Sequence, residues 1–467
     1  MTHIDTEFNR GRDCAQAVGV IVLAIAMVLG GCATRPIVLS APAGPAPNLP
    51  TAPVAVPAAT PTAAVARKAR YIPTEFAKLP GWAEDDLSGL SKALKRQCRN
   101  TQTPGGSSGP FGPLGPFGPL GLQVTCRLVA TMPQEPAELR AWLEERFMPW
   151  AIESVAVTEG NEAATGQAAA SGAATSGTTA TSPSFEGLIT GYYEPLLRGS
   201  RERSDRFVIP IRGRPDDLLV LDLGSVYPET KNLRLRGRLV TSAKGPPRVV
   251  PYGDRSEIEN QPPIRPLAWV DDSVDAFFLE IQGSGRVRLE DGSVLRVGYS
   301  DQNGLPYYPI GRELIRRGAL QAGSATAPAI RDWLRTHPDE ARSVMATNPS
   351  FVFFRELPPP GEADEGPPGA LGVALTPTRS AAIDPKALPL GTILYFSTAH
   401  PGREGALERV VVAQDTGGAI RGPVRADFFW GFDAVGGQSA ADLAGRMRSP
   451  GRLWLLWPRG ETPPLTP

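Results

Sequence analysis

The stretch at 413–431, AQDTGGAIRGPVRADFFWG, holds the residues best suited to chemistry. Asp415 precedes a Gly-Gly turn, and Asp427 precedes three consecutive aromatics, Phe428, Phe429 and Trp430. Apolar neighbours desolvate a carboxyl, raise its pKa and keep it protonated, ready to give a proton to a leaving oxygen. Aromatic faces also pack against sugar rings, so an acid in this company suits glycoside chemistry. Asp415 reads equally well as a turn cap, because aspartate before glycine bonds its own backbone. Asp427 is harder to leave idle: between Ala426 and three aromatic rings a charge is poorly placed, the alternative being a solvated charge at a strand end.

Two further clusters offer polar and aromatic groups. GLITGYYEPLLRGS (187–200) carries Thr190, Gly191, Tyr192 and Tyr193. A tyrosine pair supplies flat faces and hydroxyls for a sugar, or half-buried packing on a sheet. In FFLEIQGSGR (277–286), Gly283-Ser284-Gly285 is no nucleotide loop, since the third glycine is missing and a hairpin follows. It reads as a tight turn whose backbone, with Gln282 and Ser284, approaches a polar ligand, or as a simple bulge. Tyr299 and Asn303, in GYSDQNG (298–304), add another hydroxyl and amide.

Elements must position these groups. Strands are expected at 207–211, 218–221, 276–281, 371–375, 393–396, 410–413 and 453–457. Residues 286–299 form a hairpin: Val287 and Leu289 alternate, Asp291-Gly292 turns, and Leu295 and Val297 alternate back. Helices are expected at 312–317, 329–334, 338–345 and 439–447, the last opened by a Ser439-x-x-Asp442 cap. Residues 133–153 read as largely helical, with Leu139, Trp142, Leu143 and Phe147 on one face. Strands dominate, so the body is a mainly β barrel with few helices.

Composition narrows the function. Lys+Arg 48 balances Asp+Glu 48, leaving no basic field to hold nucleic acid. Only His3, His337 and His400 are present, with no HExxH and no GxSxG, which argues against a zinc hydrolase or a serine triad. Metal and cofactor are not expected. Gly 50 and Pro 49 make up roughly a fifth of the 467 residues, above average usage, concentrated in a few segments.

The N-terminus reads as an address. Arg10 and Arg12 precede an apolar run at 17–29, too short to span a bilayer comfortably, followed by Gly30-Gly31-Cys32. Residues 1–31 are thus a lipoprotein signal, with Cys32 the lipidated new terminus; the alternative is an uncleaved anchor with an incidental cysteine. Asp13 is atypical for such a leader, and Ala33 after the cysteine favours sorting to the outer membrane. Residues 32–70, rich in Pro and Ala, form a tether. The Gly/Pro repeat at 104–121 and the Ala/Gly/Ser/Thr stretch at 158–184 are unlikely to pack. In an oxidising periplasm Cys98 and Cys126 are either a disulfide or two buried thiols.

TGYYEP, the QGSGR turn, RVGYSDQNG, PYYPIGREL, NPSFVFFR and AQDTGGAIRGPVRADFFWGF together, in this order, resemble the lytic murein transglycosylase A family over about 185–460. The resemblance implies a double-psi β-barrel from 71–199 and 346–467, interrupted by a smaller β domain at 200–345, with a groove between them for a peptidoglycan strand. It places the catalytic acid on Asp427 and a supporting role on Asp415. Thr190, Gly191, Tyr192, Tyr193, Gln282, Ser284, Tyr299, Asn303 and Phe428 would support the site or bind substrate.

It further implies one acid working twice on the β-1,4 bond between N-acetylmuramic acid and N-acetylglucosamine, leaving 1,6-anhydro ends. Two rivals are a hydrolase with water as attacker and a non-catalytic glycan-binding lipoprotein. A scaffolding role with murein-synthesis or division proteins is compatible with catalysis, and the tether would give it reach. The periplasmic face of the outer membrane is the expected location.

Overall fold

The computed structural model describes residues 66–99, 108–109, 112–113, 120–157 and 182–463, except 228–229, 231–232, 234, 243–244 and 434–438. The leader, Cys32 and most of the tether and of both low-complexity inserts lie outside the described residues.

The N-terminal part runs β1 (Arg67–Pro73), α1 (Leu90–Arg99), the short pair β2 (Ser108–Gly109) and β3 (Gly112–Pro113), α2 (Leu120–Val129), α3 (Pro136–Arg146), β4 (Phe147–Ala156) and β5 (Glu186–Glu194). The middle runs β6 (Leu196–Ser200), β7 (Ile209–Arg212), β8 (Leu219–Val220), β9 (Arg236–Ser242), β10 (Gly245–Pro251), α4 (Arg255–Glu259), β11 (Pro266–Val270), α5 (Ser273–Gln282), β12 (Ser284–Arg288) and β13 (Val294–Gln302). Then come α6 (Ile310–Arg316), α7 (Ala327–Thr336), α8 (Pro338–Met345) and β14 (Val352–Leu357). The chain ends with β15 (Ser380–Ile383), β16 (Ile393–Ala399), β17 (Ala406–Asp415), β18 (Arg425–Phe432), α9 (Ala440–Arg446) and β19 (Arg448–Pro458).

One sheet closes on itself. Its order is β1-β4-β19-β16-β17-β15-β18-β5, and β19 also pairs with β5, so β19, β16, β17, β15, β18 and β5 form a ring. Closure leaves these strands no open edge. Alternation buries both faces: Leu394, Phe396, Val411, Ala413, Ala426, Phe428, Leu453 and Leu455 fill one core. Ile393, Tyr395, Val410, Val412, Trp454 and Leu456 face the other way, onto Leu90, Ala93 and Leu94 of α1 and Leu139, Trp142 and Leu143 of α3. Arg379, fully buried, pins the N-terminal segment to this barrel through Asp85, with Nη1 and Nη2 at 2.8 and 2.7 Å. A disulfide joins Cys98 of α1 to Cys126 of α2.

The second sheet, β14-β13-β12-β6-β11-β7, is inserted between β5 and β15. By pairing it includes all of β6, of which the sequence boundaries of 200 and 345 take in Ser200 alone, and β14, which they leave outside. Its core of Leu197, Val270, Leu279, Val287, Val297 and Phe354 is separate from the barrel's.

Several local expectations need correction. Residues 276–281 are helical, within α5. Asp272 caps its first turn through Val274 N and Asp275 N, and Gly283 ends it at φ 77°, a left-handed conformation natural to glycine. The run SVDAFFLEIQ buries Val274, Phe277, Phe278 and Leu279, a helical spacing that the short apolar window 276–281 hides. The helix within 133–153 stops at Arg146, and Phe147 turns the chain into β4, where Pro149 could not continue a helix. Residues 371–375 contribute only an isolated bridge, Pro368 with Ala374. The tether gives way to structure before residue 70, because β1 pairs along its length with β4.

Candidate active site

Asp427 lies on β18 directly opposite Thr190 of the parallel strand β5, and Thr190 Oγ1 donates to Asp427 Oδ1 at 2.6 Å. On the other edge of β18, Asp427 faces Ala382 of β15. Asp415 is paired with the same Ala382 from β17. The two carboxylates therefore flank one small residue, with backbones roughly 10 Å apart across two strand spacings.

A bulge makes this possible. Ala381 pairs with Ala413, but Ala382 pairs with Asp415, so Gln414 is the extra residue. Val411 and Ala413 point into the barrel core, and without the bulge Asp415 would follow them. Gln414 is held where it is by Ser380 Oγ, which donates to its Oε1 at 2.6 Å, and by its own Nε2 on Ala93 O at 3.0 Å. Asp415 is thereby turned to the face carrying Asp427.

Asp415 is not a free base. Its Oδ2 accepts from Tyr192 Oη at 2.9 Å and its Oδ1 from Ala370 N at 2.9 Å. Burial pushes its pKa up to about 6, opposed by the donors Thr416 N, Tyr192 and Ala370 N, and helped by the nearby charge of Asp427. Burial also raises the pKa of Asp427, while the Thr190 hydroxyl and the Arg425 charge pull it back. Tyr192 packs its ring on Phe429 with centroids 5.1 Å apart, closing the apolar side of the pair. Both residues as a whole are half-buried, although their carboxyl groups are strongly desolvated.

Of the residues picked from sequence, the structure gathers Asp427, Asp415, Thr190 and Tyr192. Phe428 belongs elsewhere: it is buried in the barrel core against Phe396, at 5.2 Å between centroids. Strand alternation turns it away from Asp427, and Phe429 takes the expected aromatic place. Gly191 is a packing glycine, since a Cβ there would come within 2.7 Å of Trp430 Nε1. Tyr193 is buried against Ala440 and Ala444 of α9, its hydroxyl accepting from Arg331 Nη2 at 2.7 Å.

Gln282 Oε1 accepts from Tyr193 N at 3.1 Å, so it ties the insert to the barrel. Ser284 opens β12 opposite Gly298, and Tyr299 lies opposite Phe354 in β13–β14. Asn303 is buried, donating to Gly253 O and Pro349 O and accepting from Phe351 N. These bonds brace the insert.

Sequence reasoning missed Ala382, Gln414 and Asp384. Asp384 Oδ2 accepts from Gly422 N at 2.8 Å and so fixes the turn between the two carboxylates. The turn signal of Asp384-Pro385 in IDPKALPLG was the available clue. A cavity of about 670 Å³ in the insert, bounded by Arg255, Phe277, Glu280 and Met345, touches neither carboxylate. Its buried Arg255 is already satisfied by Glu280 and by the Asn348 and Ser350 carbonyls.

Fold and site define a mainly β protein whose closed barrel carries one desolvated carboxylate pair and whose second sheet is an insertion. The chain matches the MltA specific insert domain over residues 188–355 and the 3D domain over residues 379–457. It is similar to the crystal structure of MltA from Neisseria gonorrhoeae, with 32% identity, 85% of this chain and 95% of that chain covered, and a TM-score of 0.64. A membrane-bound lytic murein transglycosylase structure from Agrobacterium tumefaciens gives 27% identity, 83% and 98% coverage, and a TM-score of 0.66. Membrane-bound lytic murein transglycosylase A of Escherichia coli K12 is 30% identical over 274 residues, 57% of this chain and 64% of that protein. The chain thus spans just under two thirds of that curated relative. It belongs to the MltA family.

Proposed function

We propose that this chain is a peptidoglycan lytic transglycosylase with Asp427 as its single acid and base. The observation that carries this is the contrast between the two carboxylates. Asp415 is occupied by Tyr192 and Ala370, whereas among the described side chains Asp427 accepts from Thr190, on Oδ1. Two-carboxylate hydrolysis needs a second group free to activate water or attack the sugar. A chain with one free acid suits a reaction in which the substrate brings its own nucleophile.

In that reaction protonated Asp427 gives its proton to the glycosidic oxygen, and the C1–O bond to the leaving sugar breaks. The muramic C6 hydroxyl oxygen then bonds to C1, and its proton returns to the Asp427 carboxylate. Thr190 and Arg425 stabilise that carboxylate between the two transfers. Asp415 keeps the surroundings polar and holds Tyr192 over Phe429. The names of the relatives support murein as the substrate.

Lipidation of Cys32, attachment to the periplasmic face of the outer membrane and reach through the tether toward murein-synthesis or division proteins complete the reading. The test is digestion of intact sacculi by the native chain and by Asp427→Asn, followed by mass spectrometry. Anhydro ends, one water lighter than reducing ends, should come from the native chain alone. Reducing ends from the native chain would establish a hydrolase, and no products a binding protein.

A further inference from the structure

Strand β5 has a neighbour on each edge where Thr190 sits. Asp427 of β18 pairs with Thr190 on one side, and Arg448 of β19 pairs with it on the other. Directly paired residues project to the same face with Cβ atoms about 5 Å apart. Acid, hydroxyl and guanidinium therefore stand in one row.

Arg425 precedes Asp427 by two residues on β18 and shares its face. Its Nη1 rests on the Leu188 and Ala426 carbonyls. Arg425 and Arg448 lie close enough to repel each other, with Asp427 the attracting charge near Arg425. Arg448 is exposed, and among the described residues no ion pair or side-chain hydrogen bond engages it. When Asp427 holds its proton, as its chemistry requires, the two guanidiniums have no counter-charge in this row. A planar fork beside a reacting acid matches a carboxylate on the ligand.

We infer that Arg448, backed by Arg425, is an anion subsite that takes a carboxylate of the glycan next to the scissile bond. This rests on the glycan-cleaving reading above and narrows it to acid-bearing strands. In murein the carboxylate comes from a free lactyl group or from the stem peptide. A neutral β-1,4-linked N-acetylglucosamine chain has neither.

The test measures binding by calorimetry in the full Asp427→Asn chain, where chemistry is silent. The ligands are peptide-stripped murein strands, the same strands with stem peptides, and neutral N-acetylglucosamine oligomers of equal length. Acid-bearing strands should bind about tenfold tighter than neutral ones. Adding Arg448→Gln should erase that preference, and Arg448→Lys should keep most of it. A preference already present in stripped strands assigns the lactyl carboxylate, and one confined to stem peptides assigns the peptide. A preference that survives Arg448→Gln, or an equal loss for all three ligands, overturns the subsite. If the native chain makes no anhydro ends, the cleavage reading falls, while the binding comparison still decides this one.

Discussion

Thr190 Oγ1 donates to Asp427 Oδ1 at 2.6 Å across directly opposed residues of two parallel strands. The hydroxyl stabilises the charged form of an acid whose pKa burial raises. The acid is thus balanced between giving its proton and holding the charge that remains.

Thr190→Val keeps the shape and β preference of the residue but removes this donor. The Asp427 pKa should rise further, so the falling limb of the activity profile moves to higher pH. Turnover should drop about tenfold, in line with a lost hydrogen bond to a charged group. A pH–rate profile of murein solubilisation checks both, and an unmoved limb would exclude the coupling.

Asp415 makes stability depend on pH. Its pKa of about 6 lies above the ordinary carboxylate value, so the folded chain holds a proton that the unfolded chain has released. Its stabilising contribution is fully present below about pH 4 and is lost as pH rises through about 6. Asp415→Asn should reduce the fall in melting temperature across that window. Thermal melts of both chains at several pH values measure the difference.

Breaking the anchor at Asp85 should be expensive. Asp85 accepts from both Nη atoms of Arg379, from Arg409 Nη1 at 2.8 Å and from Val410 N at 2.7 Å. Asp85→Ala would leave the fully buried Arg379 cation with the exposed Asp86 carboxylate as its remaining ion-pair partner, at a cost of up to about 3–5 kcal/mol. Denaturant unfolding should show this as a lower midpoint, far beyond the effect of Asp291→Ala on the exposed hairpin turn.

Reduction should also weaken the chain. Cys98 and Cys126 close a loop with a sequence separation of 28. Loop-closure entropy assigns such a crosslink about 3–4 kcal/mol. Chemical unfolding with and without a thiol reductant, repeated on Cys98→Ser, should give matching losses.

Much of the barrel could be read from local pattern. Alternation located β16, β17 and β19, and Asp291-Gly292 located the hairpin of β12 and β13, because strand period and turn chemistry are local properties. Residues 276–281 failed for the same reason. A six-residue apolar window cannot tell strand from helix, and the deciding Asp272 cap and Gly283 stop lie outside it.

The carboxylate pair shows where sequence stops. Residue types alone singled out Asp415 and Asp427, since a charge beside glycines and aromatics stands out in one dimension. Which face each side chain takes was decided elsewhere, by strands distant along the chain. Ala382 brings the two together, the Gln414 bulge turns Asp415 outward, and alternation sends Phe428 inward while Phe429 meets Tyr192. A one-residue change in register moves a side chain to the opposite face. Sequence therefore determined the chemistry available to this protein, and tertiary pairing decided which groups meet.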